Sequence, residues 1–122
     1  MKFLLMLHNN PAALESLTEE GRQALMDGHA RFIGETQRSG ELVVTQALHD
    51  PSASAVVRVR GGRPAVSDGP YLETREFLGG FYMLDVVDRD RALELAAHVP
   101  DAAIDGMGVE VRQVMFEAGM EQ

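Results

Sequence analysis

Phe3 to Leu7 is an unbroken apolar run that stops at His8-Asn9-Asn10-Pro11. A short run closed by a turn signal predicts a strand covered on both faces. Beyond it, Ser16-Leu17-Thr18-Glu19 reads as a capping box: the Ser hydroxyl accepts from the amide three residues on and the Glu reaches back. The helix that follows carries Leu25, Met26, His29, Phe32, Ile33 and Thr36 at spacings of three and four, which is one apolar face. Arg22, Asp27, Arg31, Glu35 and Arg38 fall mostly outside it. Gly28 and Gly34 each weaken such a helix by about 1 kcal/mol relative to Ala, so packing must hold it. Gly40 is the expected C-terminal stop.

The pattern then turns to strands. Leu42 to Thr45 is a second strand, broken at His49-Asp50-Pro51-Ser52. Ala55 to Arg60 alternates Val57 and Val59 with Arg58 and Arg60, and Gly61-Gly62 supplies a two-residue hairpin turn. Arg63 to Ser67 returns as a short strand that Pro64 confines to an edge. Leu72 to Leu78 has no clear period, Gly79-Gly80 ends it, and Phe81 to Val87 is the next strand. Asp88 caps a second helix with Ala92, Leu93, Ala96 and Ala97 inward, stopped by Pro100. Gly108 to Val114 is the last strand.

With the hairpin set aside, the order is βαββαβ, a ferredoxin-like α+β arrangement in which two helices cover one face of an antiparallel sheet. The helices cannot cover the other face, so a second copy of the chain, sheet on sheet, is expected there. Residues 1–116 form a single domain and 117–122 a polar tail.

Composition narrows the chemistry. Of 122 residues 11 are basic and 19 acidic, a net charge of -8, which argues against nucleic acid as a direct partner and against a polybasic membrane anchor. No cysteine is present, so thiolate catalysis and Cys-zinc sites are excluded. The apolar start is too short for a signal peptide and no stretch is long enough to span a bilayer, so the expectation is a cytoplasmic protein. His8, His29, His49 and His98 show no metal-ligand spacing, and no phosphate-binding glycine loop or nucleophile elbow occurs.

The segment Asp68-Gly69-Pro70-Tyr71, Glu73-Thr74-Arg75-Glu76, Leu78-Gly79-Gly80-Phe81 is more distinctive than any spacing rule. It resembles the DGPF branch of the YciI-like (YCII-related) family, with Tyr71 in place of Phe and Arg75 in place of Lys. The likeness extends to the helix ending at Gly40, to Asp88–Pro100 and to Val109–Arg112. It implies a dimeric α+β barrel of ferredoxin-like subunits. It also implies a helix histidine paired with an Asp as an acid/base centre, and His29 stands where that histidine belongs. Neither Ser39-Gly40-Glu41 nor His98-Val99-Pro100 offers the Asp, which leaves Asp68 in the signature turn as the nearest substitute.

Two functions remain open. One is a cofactor-free enzyme moving a proton on a small organic molecule, with His29 as base and Asp68 as its orienting or acid partner. In that reading Arg58, Tyr71 and His8 contact the substrate. The other is a non-catalytic dimeric ligand-binding or regulatory module, linked by the resemblance to sigma-factor-dependent transcription. Each residue also has a plainer role: His29 as a core histidine, Asp68 as a turn cap, Glu73 with Glu76 as a solvated surface, and Arg60 as a surface charge. A polar pocket converging on His29 favours chemistry, and a closed apolar core around it favours the module.

Overall fold

The computed structural model describes residues 1–71 and 76–119. Strand β1 (Lys2–Asn9) is followed by the short helix α1 (Pro11–Glu15), the long helix α2 (Glu19–Ser39), β2 (Leu42–Ala47) and the hairpin strands β3 (Ala55–Arg60) and β4 (Arg63–Asp68). Then come β5 (Phe77–Asp85), α3 (Arg89–Ala96), a 3-10 helix (Pro100–Ala103) and β6 (Gly108–Gln113). Four strands form one antiparallel sheet in the order β2-β5-β1-β6, and β3 and β4 form a separate two-stranded sheet. The fold is therefore α+β.

The apolar run at the start becomes a central strand with β5 on one side and β6 on the other. Its alternate residues Phe3, Leu5 and Leu7 are buried with Tyr82, Leu84, Phe32, Leu95 and Val99, so one face of the sheet and the helices above it make the core. Leu4, Met6, Phe81 and Met83 point the other way and are only half buried. In the two-stranded sheet, Val57, Val59 and Val66 are exposed.

Local physics decides several boundaries differently from the pattern. The cap of α2 is Thr18, whose hydroxyl accepts from the Gly21 amide; Ser16 instead closes α1 and donates to the Ala13 carbonyl. Asn10 accepts from the amides of Ala12 and Ala13, and so starts α1, a helix the pattern does not announce. Gly79 and Gly80 do not precede β5 but lie within it. In α3, Ala92, Leu95 and Ala96 are buried, while Leu93 and Ala97 are exposed. Gly40 ends α2 at φ 77°, and Gly61 and Gly62 turn the hairpin at φ 57° and 78°, as their freedom at positive φ allows. Leu72 to Arg75 of the signature, including Glu73, lie outside the described residues, as does the tail from Met120.

Candidate active site

A cleft of about 400 Å³ opens between α1, α2 and the ends of β1, β2 and β5. Its walls include Leu7, Leu14, Leu25 and Ile33, and His29, Tyr82 and Asp101 meet within it. The site is assembled from three levels of the chain. Helix α2 turns its apolar face to the sheet and carries His29 down with Phe32. Strand β5 turns Tyr82 inward by the same alternation that buries Leu84. The 3-10 helix begins at Pro100, whose ring suits the first helical position, and so presents Asp101 to the end of β1.

Each polar group finds a partner. His29 Nε2 lies 2.6 Å from Asp101 Oδ1, and His29 Nδ1 lies 2.6 Å from Tyr82 Oη. Asn9 Nδ2 donates to the second oxygen of Asp101 at 3.3 Å. Asp101 is 1% exposed. An ionised carboxylate there is acceptor-only, so His29 must donate to it from Nε2. In the neutral ring Nδ1 is then the acceptor, and the Tyr82 hydroxyl donates to it. The Tyr82 ring also meets Phe32 edge-on, with centroids 4.7 Å apart. Donors and acceptors match at each contact from Asn9 to Tyr82, as a buried polar network requires.

Burial pushes the Tyr82 hydroxyl up to about 12, and the negative charge of Asp101 adds to the effect. The ordinary value near 10 applies in the unfolded chain. Stability from this group is complete below about pH 10 and is lost as pH rises through about 12, because the unfolded chain gives up its proton first. Urea unfolding should show the folded state weakened by on the order of 2–3 kcal/mol across that window. The Tyr82→Phe variant should lack that component, and an equal loss in it would contradict the assignment.

Three glycines let the site close. A Cβ on Gly28 would lie 2.9 Å from Pro100 Cγ, so the residue before His29 and the residue before Asp101 touch because one has no side chain. A Cβ on Gly79 would collide with the side-chain amide of Asn9, the group that holds Asp101. A Cβ on Gly80 would lie 2.8 Å from the Gln46 carbonyl oxygen on the neighbouring strand. For Gly28→Ala two terms oppose: about 1 kcal/mol of helix propensity gained, against displacement of Pro100. We expect global stability within about 1 kcal/mol of the parent. The nuclear Overhauser contacts between His29 and the 3-10 helix should weaken; retention of both would show that Pro100 yields without moving Asp101.

Of the residues singled out in the sequence, one lines this cleft, two line another cavity and two line neither. His29 is in the cleft, but Asp68 is not its partner. Asp68 ends β4 opposite Ala55, is exposed, and lines no wall of this cleft. Both His29 ring nitrogens are occupied by Tyr82 and Asp101. His8 lies on the opposite face of the sheet, 2.8 Å from Glu110, whose carboxyl it holds below the usual range with help from Arg112. His8 and Tyr71 line a second cavity of about 730 Å³, and the Arg58 guanidinium sits 5.3 Å from the centre of the Tyr71 ring. No group of three or more metal-ligating side chains occurs among the described residues. Nor is any helix among them long and apolar enough to cross a membrane.

Asp101 and Tyr82 escaped the sequence reading. Asp101 stands one residue beyond His98-Val99-Pro100, a segment in which the resemblance places the partner. Tyr82 hides within an apolar strand, yet its inward position was available from the alternation, and a buried tyrosine hydroxyl requires a partner.

A protein of Rhizobium meliloti (strain 1021), named Uncharacterized protein R00369, is 28% identical over 112 residues, covering 92% of this chain and 90% of its own. The family model of the YCII-related domain matches residues 1–117, from the start of β1 past the end of β6 and through every element of the cleft. The chain that holds His29 between Asp101 and Tyr82 belongs to the YCII-related domain family.

Proposed function

We propose that the protein is a cytoplasmic, homodimeric acid/base enzyme that moves a proton on a small organic molecule without a cofactor, with His29 as the base. One observation carries this reading: a histidine held at Nε2 by a buried carboxylate and at Nδ1 by a tyrosine hydroxyl, each at 2.6 Å, in an open, mainly apolar cleft. A carboxylate that orients an imidazole and stabilises the imidazolium formed on it is the working arrangement of hydrolytic triads. Here the proton leaving the substrate passes to Tyr82 Oη as the Tyr82 proton passes to His29 Nδ1. Tyr82 suits this relay because it holds its own proton until the imidazole accepts it.

Nitrobenzisoxazole tests the base. Loss of its ring C–H proton to a base drives the electron pair into a nitrile and breaks the N–O bond, releasing a coloured phenolate. The parent protein should turn it over above the solution background, and His29→Ala should lose that turnover by on the order of 10²–10⁴-fold. Unchanged turnover in His29→Ala would defeat the proposal.

The βαββαβ frame with strand order β2-β5-β1-β6 supports a ferredoxin-like subunit. The half-buried apolar residues Leu4, Met6, Phe81 and Met83 support a second copy on the open face. Sedimentation equilibrium should give twice the chain mass for the parent and the chain mass for Met83→Lys; a monomeric parent would contradict the dimer.

His8 and Tyr71 in the wall of the second cavity, with Arg58 against the Tyr71 ring, favour a second reading, a ligand-binding module whose site lies outside the His29 cleft. Ligand binding insensitive to His29→Ala and lost in Tyr71→Ala would select it.

A further inference from the structure

We infer that the His29 cleft takes an uncharged, mainly apolar small molecule and rejects organic anions. The inference rests on the same cleft as the acid/base proposal and adds the substrate class. Its first support is charge. Among the described residues no lysine or arginine lines the cleft, and the ionisable groups there are His29, Tyr82 and Asp101. With Asp101 ionised and His29 neutral the site carries one negative charge; with His29 protonated it carries none. In neither state does it offer the net positive charge that would repay an anion for leaving water.

The second support is where the cations are. Arg91 is committed to Glu41 and Glu94, Arg112 to Glu110 and Lys2 to Glu117. Arg58 lies against the Tyr71 ring. None of these lines the cleft. The third support is the wall itself. Leu7, Leu14, Leu25 and Ile33 reward apolar surface, and a cavity of about 400 Å³ falls in the range of small-molecule sites. One polar group on the ligand suffices to meet the Tyr82 hydroxyl in the wall.

Benzamide and benzoate test this directly, being nearly the same size and differing in charge. Binding is read from the backbone amide signals of Gly79 and Gly80, which line the cleft, during titration of the full chain. Benzamide should bind with a dissociation constant on the order of millimolar, and benzoate at least about tenfold more weakly. Leu25→Arg places a cation on the wall and should reverse the order, strengthening benzoate by about tenfold. Equal or tighter binding of benzoate to the parent would overturn the inference. So would the absence of benzamide shifts at Gly79 and Gly80, or shifts confined to the surroundings of His8. The acid/base reading fails separately: if His29→Ala still turns over nitrobenzisoxazole while benzamide outbinds benzoate, only the chemistry is wrong. If turnover depends on His29 and benzoate binds as well as benzamide, only the substrate class is wrong.

Discussion

Asp101→Asn should lower turnover of nitrobenzisoxazole by on the order of 10²–10⁴-fold while leaving the fold in place. The reason is the donor count. The carboxylate accepts from His29 at one oxygen and from Asn9 at the other. An amide has one oxygen, so either His29 or Asn9 must face an NH₂ group. If the amide turns its NH₂ to His29, the imidazole must present an unprotonated Nε2 and move its proton to Nδ1, where it meets the Tyr82 hydroxyl. The nitrogen that should take the proton is then already protonated. If the amide turns the other way, Asn9 loses its acceptor and a buried donor is left facing a donor, which costs about 1–3 kcal/mol. Either orientation also removes the charge that stabilises the imidazolium. Circular dichroism should remain that of the parent; parent-level turnover in a folded Asp101→Asn protein would remove Asp101 from the mechanism.

The second large effect is structural. Gly80→Ala should destabilise the protein by about 2–4 kcal/mol, read as a lower urea midpoint with an unchanged slope. The added Cβ would meet the Gln46 carbonyl oxygen at 2.8 Å and the Ala47 Cα at 3.3 Å. Both are backbone atoms of β2, paired to β5 in register with Phe81 and Gly80, so no side-chain rotation relieves the contact. The strands must separate at the edge of the cleft. Gly40→Ala offers the contrast: nothing lies within 4 Å of its Cβ position, and only the φ of 77° resists it, for about 1 kcal/mol. A Gly80→Ala protein as stable as the parent would show that β2 can shift without cost.

Much of the fold was legible because it follows from local periodicity. The apolar run of β1, the glycine turn between β3 and β4, the apolar face of α2 and the caps at Gly40 and Asp88 each depend on neighbours a few residues away. His29 was visible for the same reason, as the polar member of an apolar helical row. The site's other members depend on distant packing. Asp101 lies 72 positions from His29 in a 3-10 helix, and nothing local marks that helix as its neighbour. Gly79 and Gly80 look like strand breakers, because the Asn9 side chain and the β2 backbone that require them belong to other strands. Asp68 stood in the most distinctive segment of the sequence, but distinctiveness did not bring it near His29. The hydrogen-bonded group around His29 gathers instead on α2, β5 and the 3-10 helix, where packing fixes a rotamer better than an exposed turn does.

The measurement that tests the central claim most directly is the tautomer of His29, read from long-range hydrogen–nitrogen correlations of the imidazole at mildly alkaline pH. A base held at Nε2 by Asp101 must carry its proton on Nε2 and leave Nδ1 open to the Tyr82 hydroxyl. The expected spectrum therefore shows a protonated Nε2 and a bare Nδ1, unchanged in Asp68→Asn and altered in Asp101→Asn. A proton on Nδ1 in the parent, or a tautomer that responds to Asp68→Asn and not to Asp101→Asn, would contradict the assignment of Asp101 as the partner that makes His29 a base.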